Sequence, residues 1–391
     1  MLIKHIKVSG LLSFGAQGID LSMNSLTVLI GPNGSGKSNL LEVLALLKAA
    51  PRGLPEPVKE MGGVREWLWK DKNTPTEATL DVVIANSDPK RMEKMDLRHV
   101  LSIRDHGGRF EVADERIENR RPHSGKSEPF FHYRFQRGLP VLQDFSKKKR
   151  ELKREAVRPE ESILSQVKDP GRYPVLAYLQ KEYEDIKLFR NWSFGPSASL
   201  RREQSTHSRN DFLNDGGDNL PLVLSKIQSR VRLELIEALG RLYEGITDLG
   251  FSISGGNVLM FLVESGGREI PATRLSDGTL RYLCLLAILL HPDPPSLIAI
   301  EEPELGLHPD VVPYVAELLV RASERTQLVV TTHSRMLVDA LGNDPSRVVV
   351  CEQRGRESQF ERLDKVALDE WLKTYSLGEL WSMGELGGNR W

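Results

Sequence analysis

"SLTVLIGPNGSGKSNLLEVLALLKAA", Ser25 to Ala50, is the stretch whose reading decides the fold. Ser25–Ile30 is an apolar, partly β-branched run of the kind a buried parallel strand shows. From Ser38 onward apolar residues recur at helical spacing, and Pro51 and Gly53 stop them. Between the two lies Gly31-Pro32-Asn33-Gly34-Ser35-Gly36-Lys37-Ser38, a match to G-x-x-x-x-G-K-[ST] in the strand–loop–helix context that gives the pattern its meaning. The glycines let successive backbone N–H groups turn inward at phosphate oxygens, and the dipole of the following helix adds positive potential. The expected ligands are ATP and Mg²⁺, with Lys37 reaching the β- and γ-phosphates and the Ser38 hydroxyl on the metal.

Working outward, "MLIKHIKVSG" and "ATLDVVIANS" read as strands, and residues 1–91 form the first part of an α/β core. From Met92 to Leu249 the chain is richer in charge and turn clusters, with helical pieces such as "LSKIQSRVRLELIEALGRLYEGI". This stretch, 92–249, reads as an inserted, largely helical lobe. Residues 250–391 resume the core: "FSISGGNVLMFLVESGGREI" predicts two strands about a Gly-Gly turn, and helices then alternate with strands to "RVVVCEQ". The expected class is α/β, a P-loop NTPase with a mixed sheet flanked by helices.

A phosphate loop needs an acid to complete its metal site. "SLIAIEEPELGLHP" supplies adjacent carboxylates where a parallel strand ends, the position at which open α/β sheets bind ligands. Glu301 is expected in the Mg²⁺ shell and Glu302 as the base that orients and deprotonates water. "QLVVTTHS" ends a further apolar strand at His333, whose imidazole is placed to donate to a γ-phosphate. "RLSDGTLRYLCLLAILLHP", from Arg274, sets small and hydroxyl-bearing residues ahead of another helix, a second phosphate-type turn.

The order P-loop, long insert, "LSDGT", "IEEPE", "TTHS" resembles the ABC-type heads of RecF- and SMC-like ATPases, and more narrowly the bacterial RecF-like, OLD-related predicted ATPases. The resemblance implies ATP hydrolysis by a homodimer that forms on ATP. In it Ser276 and the Gly278 N–H act in trans, closing over nucleotide held by the partner's P-loop, and Leu307 and His308 make contacts across the dimer. It also implies a glutamine linking nucleotide to the insert, for which Gln166 is chosen over Gln143 and Gln136. Two departures stand out: Asp277 replaces a small residue, so its charge must point away or tune the clamp, and Glu301 stands where aspartate is commoner. DNA maintenance is the leading role, and a sensor or regulator of a phage-defence or toxin–antitoxin system, acting with a separate effector protein, is the alternative.

Other classes are disfavoured. Lysine plus arginine total 53 against 54 acidic residues, so nucleic-acid binding needs a local patch. The candidate is "FSKKKRELKREAVRPEES", with Lys147, Lys148, Lys149, Arg150, Lys153 and Arg154 read as a helix that is either a DNA contact or a solvated face of the inserted lobe. Cys284 and Cys351 have no metal-ligand spacing and read as buried thiols. The proline- and glycine-broken insert excludes a long coiled-coil arm, and the segment after His333 has no D-x-D cluster of an appended nuclease. With neither signal peptide nor membrane-spanning run, the expected compartment is the cytoplasm.

Overall fold

The computed structural model describes residues 1–71, 77–86, 95–136, 139–144, 148–153, 157–190, 192–342 and 344–387. Met1–Ile186 carry strands β1 (Ile3–Ser9), β2 (Ile19–Ser22) and β3 (Leu26–Ile30), then helices α1 (Lys37–Ala49), α2 (Pro55–Glu60) and α3 (Val64–Trp67). Next come β4 (Glu77–Ile84), β5 (Leu97–His106), β6 (Arg109–Asn119), β7 (Phe131–Gln136), β8 (Leu139–Gln143), β9 (Lys149–Glu151), α4 (Ile163–Gln166) and α5 (Pro174–Glu184). Lys187–Ser346 carry β10 (Lys187–Phe189), β11 (Gln204–Ser205), α6 (Leu220–Leu242), β12 (Ile246–Ser254), β13 (Asn257–Glu264) and β14 (Glu269–Pro271). They continue with α7 (Asp277–Leu289), β15 (Leu297–Glu301), α8 (Val312–Ala322), β16 (Gln327–Thr331) and α9 (Arg335–Ala340). The chain ends with β17 (Val348–Arg354), β18 (Glu357–Arg362), α10 (Lys365–Leu368) and α11 (Leu377–Met383). Among the described residues no helix is long and apolar enough to cross a membrane.

Two compact units result. Met1–Ile186 fold with Arg347–Leu363, and Lys187–Ser346 fold with Asp364–Leu386. The stretch 92–249 is thus divided between the units at Ile186, and it carries strands as well as helices. The reason is legible in "DHGG": Gly107 (φ 61°) and Gly108 (φ 87°) both take the left-handed turn that matches strand twist, so β5 and β6 form a hairpin. Because β5 also pairs with β4, this hairpin extends the N-terminal sheet, whose eight antiparallel strands run β2-β1-β4-β5-β6-β7-β8-β9.

In the first unit, β3 is buried along its whole length and pairs in parallel with β17, Val28 opposite Val348, while β18 returns antiparallel to β17. A buried carboxylate ties helices to the eight-stranded sheet. Glu115 accepts hydrogen bonds from Ser162 Oγ (2.5 Å) and the Ile163 N–H (2.7 Å) and meets His99 Nε2 at 3.0 Å. His99 Nδ1 in turn lies 3.0 Å from the Tyr183 hydroxyl, which burial and the Glu115 charge push well above its ordinary pKa.

In the second unit, β10, β15 and β16 are parallel, with Glu301 opposite Thr331 at the last pair. Beside them α7 is buried from Leu280 to Leu289, as its all-round apolar sequence requires. The expected Gly-Gly hairpin is β12–β13, turning at Gly255 (φ 57°) and Gly256 (φ 80°). Both cysteines are buried free thiols whose pKa burial raises.

The basic run is corrected by the structure. Lys149–Glu151 form β9, the edge strand on β8, and not a helix; Lys147 and Arg154 lie outside the described residues. The Asp144 N–H donates to the Lys148 carbonyl (3.0 Å), and the Lys148 N–H donates to Asp144 Oδ1 (2.9 Å), closing the turn that feeds the ladder. Side chains therefore alternate across two faces along β9, and Lys149 and Arg150 do not share one.

Candidate nucleotide site

The phosphate loop belongs to the first unit. Gly31 (φ 143°) and Gly36 (φ 96°) hold it in a shape no side chain permits: a Cβ on Gly31 would come 2.1 Å from the Cys351 carbonyl, and one on Gly36 2.2 Å from Ser358 Oγ. Gly34 (φ 80°) faces open space. Gly36 caps α1 with no side-chain hydrogen bond, leaving that end of the helix to an anion. Lys37 is buried, and its Nζ donates to the Gly31 (2.7 Å) and Pro32 (3.0 Å) carbonyls, so its charge is held at the loop. Ser35 Oγ is buried without a partner, a donor inside the loop that suits a phosphate oxygen.

The acidic strand end belongs to the second unit. Glu302 takes φ 46°, left-handed for a residue with a Cβ, and its N–H donates to the Thr331 carbonyl (3.0 Å) and Oγ1 (3.3 Å). That bend ends β15 and brings Glu302 Oε1 to 3.6 Å from His333 Nε2, both side chains about one-third exposed. Glu304 Oε1 accepts from Thr332 Oγ1 (2.6 Å) and from the His333 N–H (3.1 Å). His308 is exposed and caps its own turn through the Asp310 N–H, and Leu307 is half-buried.

Ser276 caps α7: its Oγ accepts from the Thr279 N–H at 3.1 Å. It is exposed, as is Asp277, whose carboxylate pairs with Arg201. The charge of Asp277 is therefore neutralised within the unit. Buried Arg201 also donates to the Phe194 (2.8 Å) and Leu275 (2.5 Å) carbonyls, fixing the turn. A Cβ on Gly278 would lie 2.5 Å from the Gly306 carbonyl, so α7 meets the loop after Glu302 at a point where only glycine fits.

Gln166 ends α4, and its amide is engaged by its own loop, accepting from the Arg158 N–H (2.8 Å) and donating to the Glu161 carbonyl (3.1 Å). Gln136 and Gln143 lie in β7 and β8. Sequence reasoning missed Arg201, Arg281, Glu304 and the hydroxyl cluster Ser13–Ser358 (2.6 Å) that Asn39 joins by donating to Ser13 Oγ (2.6 Å). It also missed a shallow pocket of about 300 Å³ lined by Leu12, Ser13, Asn39, Leu68, Trp69 and Arg356, next to Ser38 in sequence through Asn39. "LLSFG" and the last glutamate of "EEPE" were the available signals; the arginines gave none.

Among the described residues no group of three or more His, Cys, Asp or Glu is placed to hold a metal alone. Mg²⁺ that binds together with a nucleotide does not require such a group, since phosphates and water supply most of its ligands.

The phosphate loop and the carboxylate-ended parallel strand define a P-loop protein with the fold of SMC-type ATPase heads. An Smc head bound to the C-winged helix domain of ScpA is similar over 93% of this chain and 98% of its own, at 14% identity and a TM-score of 0.57. An Smc head with an extended coiled coil from Pyrococcus furiosus, bound to the C-terminal domain of ScpA, is similar over 95% and 98%, at 14% identity and 0.56. No curated protein matches the sequence. Residues 26–339 match the family described as "AAA domain, putative AbiEii toxin, Type IV TA system", and the chain belongs to that family.

Proposed function

We propose that this protein binds and hydrolyses ATP and dimerises on it, each signature turn closing over nucleotide held by the other chain. The observation that carries the reading is the Glu302–His333 pair at the ends of two parallel strands, with Glu302 held in an unfavourable backbone conformation to reach it. In this reading the P-loop amides and Lys37 bind the phosphates, and the pocket beside Asn39 takes the nucleoside end. Bound Mg²⁺, held by Ser38 and Glu301, neutralises phosphate charge. Glu302 accepts the proton of the attacking water, and His333 donates to the γ-phosphate. Ser276 and the Gly278 N–H approach the partner's nucleotide.

Family membership, whose description names a toxin–antitoxin system, favours an ATPase acting with a separate effector over DNA maintenance. Hydrolysis unaffected by double- or single-stranded DNA supports that setting; clear stimulation by either supports the other, including the narrower RecF-like resemblance.

The test of the trans arrangement mixes two variants. Ser276→Arg keeps its own P-loop and is expected to bind ATP yet not dimerise; Lys37→Ala is expected to lose nucleotide. Their heterodimer contains one composite site with both lesions and one with neither, so turnover returns from two inactive chains. A Ser276→Arg protein that hydrolyses ATP normally as a monomer refutes the arrangement.

A further inference from the structure

His333 sits on the loop between β16 and α9, and a loop side chain is placed only as well as its backbone. At 3.6 Å, Glu302 Oε1 and His333 Nε2 are beyond an ordinary hydrogen bond, so their own contact does not set their spacing. Something else must hold the imidazole beside the carboxylate.

We propose that Glu304 is the positioning residue of this pair, an inference that rests on the acid–base reading above. One of its oxygens gathers the loop: Oε1 takes the Thr332 hydroxyl (2.6 Å) and the His333 N–H (3.1 Å), while Thr332 Oγ1 accepts the Ser334 N–H (2.9 Å). Three successive residues are thereby tied to a single carboxylate that lies two positions after Glu302. Such bonds, charge-assisted at the carboxylate, are the shorter and stronger kind.

The other oxygen, Oε2, is buried and has no hydrogen-bond partner. A buried unpaired acceptor is costly and calls for a compensating role or charge. The cation beside this loop is Arg281 of α7, whose pKa burial lowers while the charges of Glu304 and Glu302 oppose that shift. Arg281 Nη1 donates to the Leu305 carbonyl at 2.5 Å, and its cation lies 5.4 Å from the Trp192 ring centroid and 5.7 Å from that of Phe194. The loop from Glu302 to Leu305 is thus fixed to α7 on one side, and through Glu304 it fixes the histidine loop on the other. The carboxylate at position 304 registers the imidazole without needing to touch substrate.

The experiment measures kcat and KM for ATP, nucleotide affinity and melting temperature in the full-length chain. Glu304→Ala is expected to lower kcat by about tenfold or more, the scale of a sub-ångström to 1 Å misplacement, while nucleotide affinity stays within about twofold. Glu304→Gln, whose amide oxygen still accepts both bonds, is expected to hold kcat within about threefold of wild type. In a His333→Ala background the Glu304→Ala loss should shrink below about twofold, because there is no imidazole left to place. Wild-type kcat in Glu304→Ala overturns the proposal. So does an equal loss in both Glu304 variants that persists without His333 and tracks a lower melting temperature, which marks a brace of the fold. Wild-type turnover in Glu302→Gln overturns the acid–base reading itself.

Discussion

Glu302 offers an unusual separation of stability from activity. Its left-handed backbone, φ 46°, costs a residue with a Cβ about 1–2 kcal/mol. Glycine removes that strain but loses about 0.5–1 kcal/mol through the greater freedom of the unfolded chain. Glu302→Gly is therefore expected to gain about 0.5–1 kcal/mol, whereas Glu302→Gln keeps the Cβ and the strain and stays near wild type. For a unit of this size the difference is about 1–3 °C in melting temperature, read between the two variants at one scan rate. Both should bind ATP, and both should hydrolyse it about 10²-fold more slowly or worse, because neither side chain can take a proton from water. The backbone argument fails if the glycine variant melts below the glutamine variant. The catalytic argument fails if either turns over near the wild-type rate.

Two further outcomes are expected. His291 is buried, its Nδ1 accepting from the Asp293 N–H (3.2 Å) and its ring 4.9 Å from Phe212, and burial lowers its pKa from 6.5; the folded chain resists the proton that the unfolded chain takes, so stability falls as pH drops below about 6.5. Between pH 7.5 and 5.5 wild type should lose more stability than His291→Gln in denaturant titrations, and equal losses refute the assignment. If β9 touches phosphates, replacing Lys148, Lys149 and Arg150 with glutamate should weaken DNA binding and flatten its salt dependence; no binding by wild type at low salt removes the DNA reading.

What the sequence disclosed follows its local rules. The P-loop glycines need backbone shapes that other residues refuse, so Gly31 and Gly36 announce the loop by identity alone. The strand ending in Glu301 and Glu302 was visible because an apolar run stops abruptly at charge and proline. Features set by partners distant in sequence were hidden. Nothing around Arg201 says that it will meet Asp277, and the charge of Asp277 looked like an obstacle until that partner was seen. The lysine-rich run was misread because its composition suits a helix, while a turn at Asp144 and a free edge on β8 drew Lys149–Glu151 into the ladder. Gln166 was chosen from a family pattern, and its side chain is engaged within its own loop.

The pairing of β3 with β17 has a consequence for how the protein is made. Val28 waits for Val348, so on the ribosome the strand that feeds the phosphate loop emerges long before its parallel neighbour. At about 5–20 residues per second that interval is about 15–60 s. Throughout it "LTVLI" is an apolar strand with an unpaired edge, the kind of segment that recruits other chains. Until β17 has been made, the nascent protein is thus open to mispairing at the strand that feeds the phosphate loop.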